Sequence, residues 1–257
     1  MMQWLEFAHR GEYRFDAAGL PAHWERLHAG DAEPLPHDRA VLHAWALLHN
    51  GEFQQAAAAG LEAGDAGLTV ANKATCVYAS YLEKREDVRL ELLMQAARRA
   101  ESQCARDPRN PNAWYLLAFA LGRYSQGVSV AKALAQGLGG KVKEALERAI
   151  RLQPRHADAH LALGAFHAEV IDKVGSLIAG MTYGAKKEVG LRLFQDALRI
   201  NPGSAIAMIE CANGLLMLEG EERMEDASRL YAQAADCAAL DAVERLHVEL
   251  ARAELVD

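Results

Sequence analysis

The stretch GLGGKV, Gly137 to Val142, sets a glycine-rich run before a lysine, the composition of a loop that cradles phosphate. That chemistry needs a further glycine five residues before Gly140 and a Ser or Thr directly after the lysine, on a strand-to-helix turn. Ala135 and Val142 occupy those positions, and no strand-like run precedes them. The stretch therefore reads as a turn into a helix N-terminus, which attracts an anion only weakly through its free N–H groups. His156, His160 and His167 stand four and seven residues apart, on one helical face, as metal ligands would. His156 falls at a turn, however, and the other two fall where large packing side chains are expected. They read as core or interface histidines. Neighbouring acids such as Glu144 and Glu147, or Glu221 and Glu222, lie on solvent-facing helix surfaces with nothing to shift their ionisation. No G-x-S-x-G elbow or H-E-x-x-H pair occurs, and Cys76, Cys104, Cys211 and Cys237 form no C-x-x-C. No catalytic residue, cofactor or metal ligand is expected, and the protein is not expected to be an enzyme.

Whatever functional residues exist must be positioned by helices. Of 257 residues 51% are hydrophobic and 25% charged, so the chain is globular, and only 7 prolines interrupt an Ala-, Leu-, Glu- and Arg-rich composition. No run of β-branched and aromatic residues suggests a strand, so the class is all-α. No apolar run approaches the roughly 20 residues that span a bilayer. MMQWLEFAHRGEYRF has no export pattern, and the four scattered cysteines suit a reducing compartment, so a cytoplasmic location is expected. The net charge of −7 is uneven: Pro202 to Asp257 holds 12 acids against 4 arginines, leaving +1 for the rest. An acidic chain is a poor candidate for nucleic acid.

Three prolines close Ala-Leu-type helices, at Pro108, Pro154 and Pro202, at spacings of 46 and 48. After each the chain restarts alike: NPNAWYLLAFA, HADAHLALGAF and SAIAMIECANG. Trp114, His160 and Met208 each stand six residues past their proline, followed by Leu117 and Ala118, Leu163 and Gly164, and Cys211 and Ala212. A fixed period of helix pairs marks a solenoid, in which no single pair can bury its apolar face alone. The proline lacks an N–H and forces its predecessor out of helical geometry, so each second helix ends at a set place.

This pattern resembles the tetratricopeptide repeat family. First helices carry Trp114, Leu117, Ala118, Leu121 and His160, Leu163, Gly164, His167; second helices carry Val142, Leu146, Ala149, Pro154 and Gly190, Phe194, Ala197, Pro202. The resemblance implies a right-handed α-solenoid of antiparallel helix pairs. About six units are expected: degenerate helical repeats over residues 1–64, a long helix pair over 65–108, repeats over 109–240, and a capping helix over 241–257 with Asp241 and Glu244 as a capping box. HRGEYRFDAAG, His9 to Gly19, reads as a turn between helices like that at HNGEFQQAAAAG, 40 residues later.

The family unit is 34 residues long, so the two clearest units are about 12 and 14 residues longer. The extra residues lie between first and second helices, at 123–141 and 170–187, and should emerge side by side on one edge. Six of the 8 lysines lie in or beside them: Lys132, Lys141, Lys143, Lys173, Lys186 and Lys187. Val128, Val130, Leu134, Leu138, Leu177, Ile178, Met181 and Tyr183 are expected to dock on the helices and leave the lysines facing out. GRYSQGVSVAKALAQGLGGKVKEALERAIRLQP is also similar to the repeats of the regulator of microtubule dynamics family. A looser resemblance is to the T component of bacterial tripartite periplasmic transporters, an exported family.

The tetratricopeptide resemblance implies a groove lined by first helices, here Asn112, Tyr115, Phe119 and Arg123, then Asp158, Leu161, Ala165 and Glu169, then Ile206, Ile209, Asn213, Leu216 and Met217. With Lys132, Lys141, Lys143, Lys186 and Lys187, all of these but Ala165, Ile206 and Leu216 are the candidate partner-binding residues. The expected function is a non-catalytic scaffold for a protein or peptide partner. Two alternatives stay open: a carrier of a small, partly apolar anion held between the insertions, and a self-associating structural protein whose acidic end meets a neighbour's basic edge.

Overall fold

The computed structural model describes residues 3–255 and contains no strand among them. The helices are α1 (Trp24–Leu27), α2 (Arg39–His49), α3 (Phe53–Glu62), α4 (Leu68–Tyr81), α5 (Glu86–Arg106), α6 (Pro111–Gln126), α7 (Val130–Ala135), α8 (Leu138–Leu152), α9 (Ala157–Val174), α10 (Ser176–Tyr183), α11 (Lys187–Ile200), α12 (Ala205–Glu219), α13 (Met224–Ala235) and α14 (Ala242–Glu254). They form two compact units. One comprises the residues up to His28, Glu33–Leu152 and Leu240–Val243; the other comprises Ala29–Ala32, Gln153–Ala239 and the residues from Glu244.

In the first unit α2 pairs with α3, α4 with α5, and α6 with α8; in the second α9 pairs with α11, and α12 with α13. Five pairs therefore stand where about six repeats were expected, with α7 and α10 as the insertions' own helices. The repeat is visible in how the first helices begin. Asn110 Oδ1 accepts from the Ala113 N–H at 3.0 Å, His156 Nδ1 from Ala159 at 3.1 Å, and Ser204 Oγ from Ala207 at 3.2 Å. Each is an N-cap two residues past its proline, satisfying a donor that the helix leaves unpaired. His156 does this in the neutral form, with a ring nitrogen as acceptor, and is fully buried.

Packing in the second unit centres on Phe194 of α11, 1% exposed, among Leu161, Ala168, Ala197, Cys211 and Leu215. Its ring sits against two glycines of the flanking first helices. A Cβ on Gly214 would lie 2.2 Å from Phe194 Cε2, and one on Gly164 3.0 Å from Cε1. At Gly164, a small position of the repeat pattern, a neighbouring ring thus leaves little room for a side chain. Burying the Phe194 side chain contributes about 1.5–3 kcal/mol.

The N-terminal segment corrects one expectation. Residues 3–19 are not helical: they run over α2–α4 as a strap. Trp4 stacks on Tyr78 at 4.2 Å, its N–H donates to Gln54 Oε1 at 2.9 Å, and the Leu5 N–H donates to Tyr78 Oη at 3.1 Å. Phe7 packs edge-on to Phe53, and the Phe15 N–H donates to Asn50 Oδ1 while Asn50 Nδ2 donates to the Phe15 carbonyl. Body side chains thus satisfy the strap's backbone, so helix formation there gains little.

Candidate interaction site

The insertion of the first unit consists of the last turn of α6, the short helix α7 and the first turn of α8. Ser129 caps α7 by accepting from the Lys132 N–H at 3.2 Å. Leu138 is buried, yet Val130 and Leu134 face solvent, 57% and 53% exposed. Lys132 lies over the Tyr124 ring at 5.6 Å, Lys141 is exposed, and Lys143 pairs with Glu147 at 2.6 Å. Gly137 takes φ +63° at the α7–α8 turn, so the glycine-rich stretch is a backbone turn.

The insertion of the second unit ends α9 at Val174, carries α10, and leads into α11. Only Ala179 of α10 is buried. Leu177, Ile178 and Met181 are 77%, 56% and 82% exposed. Lys173 lies 3.6 Å from Glu169 and Lys187 3.1 Å from Glu219, while the Lys186 side chain is exposed. The expected arrangement holds for Leu138 and, half-buried, for Val128 and Tyr183, while Val130, Leu134, Leu177, Ile178 and Met181, expected to dock, face water. On α10 the buried contact is made by the small side chain of Ala179, and α7 buries no side chain.

The expected groove divides. Along α6, Tyr115, Phe119 and Arg123 form a half-buried ladder, with ring centroids 6.1 Å apart and the guanidinium 5.5 Å from the Phe119 ring. Met217 on α12 is also partly open, 38% exposed. Other residues are spent internally. Asn112 is buried and its Nδ2 donates to Glu33 Oε2 at 2.6 Å. Leu161 belongs to the core around Phe194, and Ile209 to a cluster with Ala234, Val248 and Ala251. Asn213 Oδ1 accepts from the Tyr231 hydroxyl at 2.6 Å. Asp158 packs against Gly30, whose carbonyl accepts from the Asp158 N–H at 3.0 Å, and Glu169 faces Lys173. Neighbouring helices fill both family positions: Leu161 is covered by side chains of α11 and α12, and Ile209 by those of α13 and α14.

A family model, Regulator of microtubule dynamics protein 1-3, matches residues 66–235. The chain belongs to that family. No curated protein matches it in sequence. Among solved structures, a thermophilic TPR protein of Thermus thermophilus is similar with a TM-score of 0.58 at 18% identity, over 83% of this chain and 97% of that one. The likeness shows the fold: this regulator of microtubule dynamics family member is an all-α helical repeat of the tetratricopeptide kind. Both insertions lie inside the matched residues.

The three histidines singled out in the sequence each meet a backbone group. His160 Nε2 lies 3.0 Å from the Pro154 carbonyl, and His167 Nδ1 accepts from the Lys186 N–H at 2.9 Å. With His156 as an N-cap, the three histidines serve three different backbone groups. Burial pushes the Cys76 and Cys104 thiols up to about 12 and Cys211 to about 11, which leaves them protonated. A buried relay escaped sequence reading: His49 Nδ1 lies 2.6 Å from Asp241 Oδ2, and His49 Nε2 faces His28 Nε2 at 3.4 Å. With His49 and Asp241 192 positions apart in the sequence, no local pattern signals it. Among the described residues no helix is long and apolar enough to cross a membrane.

Proposed function

We infer that this family member is a non-catalytic scaffold that binds a protein or peptide partner through its lysine-bearing insertions, helped by the open aromatic ladder of α6. The observation that carries the reading is the outward display of Val130 and Leu134 on α7 and of Leu177, Ile178 and Met181 on α10, beside lysines. Isolated exposed apolar residues are ordinary, whereas grouped ones rimmed by charge mark interaction surfaces. The tetratricopeptide fold supports a scaffold role by analogy. The family's name, regulator of microtubule dynamics, directs the search for the partner to proteins that govern microtubules.

The test is affinity capture with mass spectrometry, comparing wild type with a folded variant carrying Lys132, Lys141, Lys143, Lys186 and Lys187 changed to Glu. A near-stoichiometric partner held by wild type and lost by the variant is expected. A partner retained by both would move the site to the α6 ladder. Capture of nothing by either, with a small molecule copurifying, would replace the scaffold by a carrier.

A further inference from the structure

We propose that the solvent face of α10 is the docking site for an acidic amphipathic helix of the partner; this rests on the scaffold reading and names the partner's chemistry. The argument begins with how firmly α10 is held. Ala179 and Ala185 are 0% and 3% exposed and joined by a 3.1 Å bond from the Ala185 N–H to the Ala179 carbonyl. Gly184, at φ +64°, closes the helix in the left-handed conformation, and the Lys186 N–H is fixed on buried His167. Tyr183 meets Phe166 edge-on at 6.2 Å. A helix so anchored keeps Leu177, Ile178 and Met181 in one outward stripe at positions i, i+1 and i+4. Such a stripe matches the i, i+3, i+4 anchors by which an amphipathic helix docks.

Charge selects the occupant. Residues 173–187 include three lysines and no acid. Two of them already hold carboxylates borne on helices: Lys173 that of Glu169 on α9, and Lys187 that of Glu219 at the end of α12. Lys186 is exposed and pairs with no carboxylate among the described residues. A carboxylate flanking the apolar anchors of an incoming helix would complete the same pattern. An anionic bilayer is a continuous negative sheet and would meet exposed Asp172 and Glu188 as well as the lysines. A discrete helix needs to bring only its apolar anchors to the stripe and one carboxylate to Lys186.

The experiment measures fluorescence anisotropy of labelled synthetic helical peptides against the full chain. One peptide carries leucines at i, i+3, i+4 and i+7 flanked by glutamates; its mate has lysines for the glutamates. The glutamate peptide is expected to bind and its mate to bind at least tenfold more weakly. Leu177→Ser with Met181→Ser, exposed positions that leave folding intact by circular dichroism, should cost at least tenfold. Lys186→Glu should invert the peptide preference. Equal binding of both peptides, or indifference to the serine variant, overturns the proposal. So does a stripe-dependent cosedimentation with phosphatidylserine vesicles, or a stripe-dependent rise of mass with concentration. If peptide binding fails while capture through the lysines succeeds, only this docking site falls; if capture fails as well, the scaffold reading falls with it.

Discussion

The indole Nε1 of Trp114 donates to the carbonyl of Pro108 at 3.0 Å, and 46 residues later His160 Nε2 stands at the same 3.0 Å from the carbonyl of Pro154. Two chemically different rings thus close the same inter-repeat turn. The proline that ends a second helix leaves carbonyls without intrahelical partners, and a ring donor six residues on takes one of them. In the third repeat Met208 holds the place and has no side-chain N–H to offer.

Removing either donor should loosen its turn. Trp114→Phe keeps the ring and loses the hydrogen bond, at an expected cost of about 0.5–1.5 kcal/mol; His160→Phe should cost a similar amount. Urea unfolding of both variants reads this directly. A Trp114→Phe protein as stable as wild type would mean that water replaces the indole at no cost.

Gly214→Ala should destabilise, although alanine is intrinsically the better helix residue by roughly 0.8–1.0 kcal/mol. The added Cβ would fall 2.2 Å from the Phe194 ring, which is wedged between helices and cannot swing clear. Overpacking of this kind costs about 1–3 kcal/mol, so the net change is expected to be a loss. Gly122 has nothing within 4 Å of its would-be Cβ. Gly122→Ala should therefore stabilise by its helix propensity, and thermal denaturation of the two variants should move in opposite directions.

Asp241→Ala should be among the most damaging single changes. It strips His49, 1% exposed, of its partner at 2.6 Å, and leaves a buried ring nitrogen facing the methyl group. Breaking a buried pair by removing one member costs about 3–5 kcal/mol. Asp241→Asn keeps an oxygen acceptor for Nδ1–H and should cost visibly less. Equal losses for the two substitutions would show that charge, and not the hydrogen bond, holds this contact.

The repeat is legible in the sequence because its signals are local. Pro108, Pro154 and Pro202 each stop a helix through their own backbone, and the N-caps follow at a fixed offset. The strap is not, since HRGEYRFDAAG has the same turn residues as a genuine inter-helix turn. What decides its form is tertiary, namely Asn50, Gln54 and Tyr78 waiting with side-chain partners. The placement of lysines at the insertions is readable from composition. The outward turn of Leu177, Ile178 and Met181 is not, because periodicity reveals that apolar residues share a face but not which way that face points. The groove positions taken from the repeat pattern fail at Leu161 and Ile209 for a similar reason: cover by neighbouring helices is not written in the covered residue.

Acid should release the strap before it unfolds the rest. Leu5 donates its N–H to the Tyr78 hydroxyl, and that hydroxyl donates to Glu83 Oε2 at 2.9 Å. Hydrogen bonds from the Arg85 guanidinium and backbone N–H, with that of Tyr78, hold the Glu83 carboxyl down to about 2 against an ordinary 4.5. The folded value lies below the unfolded one, so Glu83 contributes fully above about pH 4.5 and progressively loses that contribution as pH falls toward 2. Its size is on the order of 2 kcal/mol, less than the whole shift implies because Arg85 is open to solvent. Hydrogen exchange at the Leu5 amide, followed from pH 6 to 3 and corrected for its intrinsic rate, should show protection falling across that window. Glu83→Gln should lower protection at pH 6 and flatten the dependence. A strap equally protected at both ends of the range, in wild type and variant alike, would show that Trp4 and Phe7 hold it without the Tyr78–Glu83 link.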